Sequence, residues 1–523
     1  MSSKKKKVPI TAVTPIAVID IGTSSVRMVI AQRSHSGKVQ TLETLQQAVA
    51  LGKDTFTTGR ISMEATEACV KVLNSFRELM AEYHITEEEH IRAIATTAVR
   101  EASNSGMFLN RIFIATGLRV ETLDEAEGNQ YMYLSVLPLL REYAPLKKND
   151  TLVVEVGGGT TELLLVKKER VAHSKTYRLG SLRLREFLEK VQRSKHKLPR
   201  LMNTQIRLTM QQIRHDLDGG SKGMRFLALG GDARFAAQQL NPAWDQHSPV
   251  KLDVAQVKEL SDKLLGMTAE DISRTYHLDF SSAESVGPAL LIYASLAETL
   301  GINKLNVTQT NVRDGILAEM VAHSSHIDEF SQQILHSAME LGKKYHFDKK
   351  HACYVCELSM LLYDFMNDTL ALSSRHKVLL QVAALLHESG HYINERAHHK
   401  HSMYLILHSE IFGLSSKDRK IVALIARYHR KAPPNNNQAL YSELAHRDKI
   451  VVSKLAAILR VCDALVRSRL HKLEHIQFAS EPGVIMVTIT NTTDLSLEKL
   501  AISQKGELFT QIFGKKVIVR TGR

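Results

Sequence analysis

Cysteine is scarce: Cys69, Cys353, Cys356 and Cys462 are the 4 in a chain of 523 residues. They are too few and too scattered for a disulfide framework, which points to a reducing, cytoplasmic compartment. Cys353 and Cys356 form a C-x-x-C pair, but it stands alone inside the helical pattern HACYVCELSMLLYDF. Core packing therefore accounts for it better than zinc or redox chemistry. Long apolar runs are missing too. No stretch reaches the ~18 residues that would cross a bilayer, and the Lys4–Lys7 run leads only into a short apolar segment. Neither membrane insertion nor a signal peptide is expected. Aromatic residues are 6% with a single tryptophan, which leaves little on which nucleic-acid bases could stack. Acidic residues are outnumbered, 55 against 68 lysines and arginines, for a formal net charge of +13. That balance favours a polyanionic partner, a phosphate polymer before a nucleic acid.

What is present is ordinary globular material, 44% hydrophobic and 24% charged, with length for about three or four domains. Met1–Lys7 reads as a charged, flexible start. Ile16–Asp20 is an apolar run ending on a carboxylate; Gly22–Ser25 turns the chain, and Val26–Ala31 returns it as a second strand. Apolar spacing predicts a helix over Met63–Tyr83, a strand at Ile91–Thr97 and a helix at Met107–Thr116. The first design returns over Thr151–Val166: an apolar strand, a carboxylate at Glu155, three glycines and a polar turn into Leu163–Val166. Arg225–Leu229 followed by Gly230, Gly231 and Asp232 is a third strand-to-glycine transition. Leu305–Thr308 and Asn311–Met320 read as a strand and a closing helix. From about residue 322 to about residue 471 the pattern is helical and rich in histidine, broken at Ala432–Asn437. Strands near Ile485–Ile489 and Val517–Arg520, around a helix near Leu497–Phe509, predict a small α+β end.

The two glycine turns carry the chemistry. A phosphate chain needs several N–H donors converging on it, and glycine lets a backbone come that close. Gly157, Gly158 and Gly159 with Thr160 supply N–H groups and a hydroxyl, and Gly22, Thr23, Ser24 and Ser25 offer the same from a facing turn. The carboxylates ending the preceding strands, Asp20 and Glu155, are candidates to hold magnesium or another divalent cation, directly or through water. One such turn is a weak signal. Two of them, about 135 residues apart, point to a phosphate-gripping cleft.

VIDIGTSSVRMVI and VVEVGGGTTELLLV resemble the two phosphate loops of the acetate kinase, actin and sugar kinase superfamily. Their wording is most similar to the exopolyphosphatase / guanosine pentaphosphate phosphatase (Ppx/GppA) family. TTAVREASN, TQTNVRDGIL, HESGHYIN and LIARYHRKA resemble further segments of that family in the same order. The resemblance implies two actin-like (ASKHA, ribonuclease H-like) α/β lobes at residues 8–143 and 144–321. It implies an all-α HD-like domain at 322–475 and a small α+β domain at 476–523. By the same resemblance Arg100 grips phosphate and Glu162 orients or deprotonates the attacking water. A second catalytic glutamate falls in LDEAEGNQYMYLSV, at Glu127, with Glu125 as the alternative. Two positions depart from the family: Glu155 stands where aspartate is usual, and Ser24 where asparagine is usual. The extra methylene of Glu155 moves its carboxylate by about one C–C bond, about 1.5 Å, enough to disturb metal geometry and rate.

His351, His387, Glu388 and Asp463 resemble the metal-binding set of HD phosphohydrolases, with Glu388 in place of an aspartate, which implies a weakened site. His398, His399, Lys400, His401, Arg427, His429, Arg430 and Lys431 form two basic clusters. Either they continue a positive track for a phosphate polymer or they are a solvated face. The function implied is exopolyphosphatase, cutting terminal phosphate from inorganic polyphosphate, with the 5′-phosphate of guanosine pentaphosphate (pppGpp) as a further substrate. The cofactor implied is Mg2+, with a monovalent cation as an additional candidate, and the family implies a homodimer. Two rivals stay open: an ATP-dependent kinase or ATPase on the same fold, and a non-catalytic binder of polyphosphate or alarmone.

Overall fold

Aliphatic residues fill Ile16–Ile21 (β1) and Thr151–Val156 (β6), and the two strands are buried almost end to end, as strands covered on both faces must be. The computed structural model describes residues 15–34, 39–191, 198–217, 223–321, 325–430, 432–467, 476–490 and 494–522. Contacts divide the chain into two units, Met1–His326 and Ile327–Arg523.

The first unit holds two sheets of one design. In the first, β1 pairs antiparallel with β2 (Ser25–Arg33), which pairs antiparallel with β3 (Val39–Ala48). Parallel strands β4 (Ile91–Ala95) and β5 (Val120–Thr122) extend the other side, for an order β3-β2-β1-β4-β5. The second sheet repeats this with β6, β7 (Thr161–Lys167) and β8 (Arg170–Tyr177) antiparallel, then β9 (Arg225–Leu229) and β11 (Lys304–Val307) parallel. One further strand, β10 (Val250–Asp253), caps its edge, giving β10-β11-β9-β6-β7-β8. The echo between the two turns thus extends to whole sheets. The strand expected at Ile91–Thr97 stops at Ala95, because Thr97–Glu101 is already a helical turn.

Phe280–Thr299 is the core helix of the second lobe, apolar on nearly every side and buried. Its Tyr293 hydroxyl accepts from Val156 N–H at 2.8 Å and donates to the Leu229 carbonyl, tying the ends of β6 and β9 together. Val312–Val321, the closing helix of the second lobe by sequence order, packs into the first lobe. Its Ile316 and Leu317 share a core with Ile16, Val18, Ile94 and Tyr131. Gly315 makes this fit possible, since a Cβ there would stand 2.0 Å from the Tyr131 carbonyl oxygen. The lobes are therefore interlocked, with a helix from one completing the other.

In the second unit, helices Lys349–Phe365, Ser374–Leu386, Ser416–Tyr428 and His446–Leu465 contribute to one core. The same core takes in Ile485, Val487, Phe509 and Val519. The α+β end is therefore packed as part of this unit. Its sheet has three strands, β12 (Ile476–Glu481), β13 (Val484–Ile489) and β14 (Lys516–Thr521), where two were expected. β12 carries little apolar pattern and sits at an edge, which is why the sequence hid it. Helices Ser496–Lys505 and Glu507–Phe513 form the crossover that the parallel β13–β14 pair requires.

Candidate active site

Both phosphate turns are pinched by the same hydrogen bond. Gly22 N–H donates to the Ser25 carbonyl at 3.0 Å, and Gly157 N–H to the Thr160 carbonyl at 2.8 Å. The two tips then meet. A Cβ on Gly158 would stand 2.8 Å from Thr23 Cγ2, and one on Gly159 would stand 2.7 Å from Thr97 Cγ2. Side chains at these positions would push the lobes apart, so glycine is demanded by close approach. The Thr97 and Thr160 hydroxyls hydrogen-bond across the seam at 3.2 Å.

Between the lobes is a cavity of about 490 Å³, lined by both turns and by Arg27, Arg100, Glu125, Glu155, Glu162 and Arg313 among others. Strand register decides which charges meet there. Asp20 lies opposite Arg27, whereas Glu155 lies opposite Glu162, and directly opposed residues share a face of the sheet. One turn therefore presents an acid with a cation, the other two acids. Asp20 Oδ2 accepts from the Arg313 guanidinium at 3.1 Å, with Arg27 3.8 Å away. Its buried Oδ1 has no hydrogen-bond partner.

Burial pushes the Glu155 carboxyl up, opposed first by Arg234, while the Asp20 charge adds to the rise. Arg234 is itself held down by burial, and Glu155 acts the other way. Glu162 is the most informative group. Burial pushes it up to about 7, the Thr160 hydroxyl pulls back, and Glu155 pushes again. That hydroxyl donates to Glu162 Oε1 at 2.6 Å. A carboxylate near neutrality beside a phosphate turn can take a proton from water at physiological pH. Asp20, with an unpartnered buried oxygen, and Glu155 offer hard donors at the ends of β1 and β6. Such a pair fits a divalent ion that takes one or two protein carboxylates and completes its shell with phosphate oxygens and water.

The other expected residues divide. Gly22, Thr23, Ser24, Gly157, Gly158, Gly159, Thr160 and Arg100 line the cavity, but Ser25 does not. Ser25 is turned inward, with a buried hydroxyl. Arg100 is held by the Leu123 carbonyl at 2.8 Å and by Thr97 Oγ1 at 3.3 Å, and its Nη2 is 3.9 Å from Glu125. Glu125 lines the cavity. Glu127 instead closes a capping box at the start of helix Glu125–Glu142. Its Oε2 accepts from Asp124 N–H, and its own N–H donates to Asp124 Oδ1, both at 2.9 Å. The D-x-x-E spelling of Asp124–Glu127 carried that capping signal.

The sequence reading passed over Arg27, Arg234 and Arg313. Arg27 was findable as the residue opposite Asp20 in a tight hairpin; the other two lie beside segments already singled out, GGDARF and TQTNVRDGIL. Of the supposed basic track, His398, His399 and His429 are buried, so they belong to the interior and to neither a track nor a solvated face; Lys431 lies outside the described residues. His351, His387, Glu388 and Asp463 do converge within the second unit. Cys356 is packed in the core of that unit, its thiol pushed by burial up to about 12.

The description "Ppx/GppA phosphatase family" matches residues 28–324, and "Ppx/GppA phosphatase, domain III" matches residues 335–500. A guanosine-5′-triphosphate,3′-diphosphate pyrophosphatase of Pseudoalteromonas translucida is 24% identical over 463 residues, 87% of each chain. A protein of the same name from Photobacterium profundum is 23% identical over 79% of this chain and 80% of its own. The solved exopolyphosphatase of Cytophaga hutchinsonii matches with a TM-score of 0.52 at 20% identity, over 59% of this chain and 97% of its own.

Proposed function

We infer, since this chain belongs to the Ppx/GppA phosphatase family, that its cleft removes terminal phosphate from linear inorganic polyphosphate. The chain is a phosphoanhydride hydrolase; what is proposed is the substrate, the ion and the role of each residue. The observation that carries the reading is Glu162, a half-buried carboxylate pushed up to about 7 at the mouth of a phosphate turn.

In this reading the turn N–H groups other than those of Gly22 and Gly157 cradle the phosphate chain, the Thr160 hydroxyl holds Glu162 in place, and Arg100 grips the chain through its planar fork. Asp20 and Glu155 would hold magnesium, which supplies charge neutralisation on the phosphoryl oxygens. Glu162 accepts the proton of the attacking water. Glu125, which lines the cleft beside Arg100, orients that water or the terminal phosphate. Glu127 contributes by capping the helix that carries Glu125. The four arginines lining the cleft, Arg27, Arg100, Arg234 and Arg313, favour a polymer whose charge repeats at every unit. The second unit is read as HD-like on the convergence of His351, His387, Glu388 and Asp463.

A second substrate, guanosine pentaphosphate, is favoured by the name carried by the relatives that match over most of this chain. Phosphate release from polyphosphate, guanosine pentaphosphate and ATP, each across a magnesium titration, separates the readings. Polyphosphate is expected to be cut fastest and ATP slowest. Faster release from guanosine pentaphosphate would move the assignment to the second substrate. Preferential ATP turnover, or binding without release from any of the three, would overturn it.

A further inference from the structure

The start of helix Ser181–Val191 holds the second phosphate turn from behind, carbonyl by carbonyl. The Gly157 carbonyl accepts from Ser181 N–H at 3.0 Å, and the Gly158 carbonyl from Arg183 N–H at 2.9 Å. The Gly159 carbonyl accepts from the Arg183 side chain, at Nε, at 2.7 Å. N–H and C=O point opposite ways across a trans peptide. Three carbonyls drawn towards the helix therefore turn the N–H groups of Gly158, Gly159 and Thr160 away from it, and these three residues line the cleft. Backbone donors hold the first two carbonyls, which almost any residue could supply. The third depends on one side chain.

The rest of that guanidinium reaches into the first lobe. Arg183 Nη2 donates to both oxygens of Glu101 at 2.8 Å, and the guanidinium carbon lies 4.4 Å from the centre of the Phe56 ring. Glu101 ends the helical turn Thr97–Glu101, directly after Arg100. One planar group thus touches both halves of the grip: the peptide that carries the Thr160 N–H and the turn that carries Arg100. The Arg183 and Glu101 side chains are only 21% and 22% exposed, so their charge-assisted bonds keep more strength than they would in open water. Elsewhere on the seam the Thr57 hydroxyl donates to Glu186 Oε2 at 2.8 Å, a bond between the lobes that involves neither the turn nor Arg100.

We propose that Arg183 is a positioning residue for phosphoanhydride hydrolysis: it sets the Gly159–Thr160 peptide and, through Glu101, fixes the spacing between that peptide and Arg100. That role rests on the two turns being the phosphate grip and on no choice of substrate. Its effect falls on the transition state. Donors displaced by a fraction of an ångström still attract a phosphate chain, but they no longer match the charge that develops on the transferred group. Lysine replaces the fork by a point charge, so it can serve the Gly159 carbonyl or Glu101 well, but not both in the same geometry.

The test compares the full wild-type chain with Arg183→Met, Arg183→Lys, Glu101→Gln and Thr57→Val. Phosphate release is measured from polyphosphate, guanosine pentaphosphate and ATP, and the substrate that wild type cuts fastest supplies kcat and KM. Amide hydrogen exchange at Gly157 and at residue 183, whose N–H groups bond to the turn's own carbonyls, gives a readout independent of turnover. Arg183→Met is expected to lower kcat about 10–100-fold with KM kept within about three-fold, and to speed exchange at both amides. Glu101→Gln should show the same pattern at smaller size, and Arg183→Lys should recover part of the loss. Thr57→Val should lower Tm while leaving kcat and both amides as in wild type. A wild-type kcat or wild-type exchange in Arg183→Met overturns the proposal whatever its Tm, as does an equal loss of kcat in Thr57→Val. Inactivity of wild type itself on all three substrates would overturn the reading of the cleft, and exchange would still decide whether Arg183 sets the turn.

Discussion

Asp20 and Glu155 hold the same place in two hairpins, and the residue opposite each makes the difference: Arg27 in one, Glu162 in the other. In the acid–acid pair, burial chiefly lifts Glu162 from its ordinary 4.5 to about 7. Between those values the folded chain holds a proton that the unfolded chain has lost, so this group's contribution to stability falls as pH rises through the window. Glu162→Gln should then lower phosphate release by at least ~100-fold yet raise stability above pH 7 by about 1–3 kcal/mol. The gain should shrink towards pH 5, which thermal melts across pH will read. Glu125 and Glu127 separate by a different signature. Glu125→Gln should cut kcat about ten-fold or more with little change in Tm. Glu127→Ala should leave kcat nearly intact and cost about 0.5–2 kcal/mol through the lost cap. The carboxylates and glycines could be read from sequence because a phosphate grip demands those residue types in that order. Which glutamate faces the cleft could not, because a capping box and a catalytic acidic segment share one spelling, and only the helix axis decides between them.

At the scale of elements, the two meanders were legible as strand–glycine–strand units, since continuous apolar runs broken by tight glycine turns leave a local mark. The packing of helix Val312–Val321 into the first lobe was not, because an apolar stripe says that a helix is covered without saying by what. The turn of the second lobe also depends on a distant glycine. A Cβ on Gly180 would lie 2.3 Å from Gly159 C and 2.5 Å from Thr160 N, both backbone atoms with no freedom to move aside. Gly180→Ala should therefore displace the Gly157–Thr160 turn, costing about 1–3 kcal/mol or more in stability. It should also weaken phosphate binding, whereas Gly106→Ala, with nothing within 4 Å of its Cβ and inside helix Ser105–Thr116, should leave binding unchanged and raise stability by up to about 1 kcal/mol. Denaturant melts and equilibrium binding of a short polyphosphate check both variants.

For the whole molecule, the first unit has its own cores and contains the entire cleft. The solved Cytophaga hutchinsonii chain, which shares the fold, is matched over 97% of its length by only 59% of this one. A fragment ending at His326 is therefore expected to fold and to release phosphate from short substrates, with a cooperative melt of its own. Net basicity pointed to a polyanion, but charge counted along a sequence could not place the arginines. It is the sheet register and the crossing helix that bring Arg27 and Arg313 onto Asp20. The most direct test of the cleft's chemistry is the pH profile of phosphate release from polyphosphate by wild type and Glu162→Gln at saturating magnesium. The expected result is a wild-type rate that climbs through pH about 7 and a variant at least ~100-fold slower, without that climb. A variant that keeps the wild-type rate and profile would contradict Glu162 as the base.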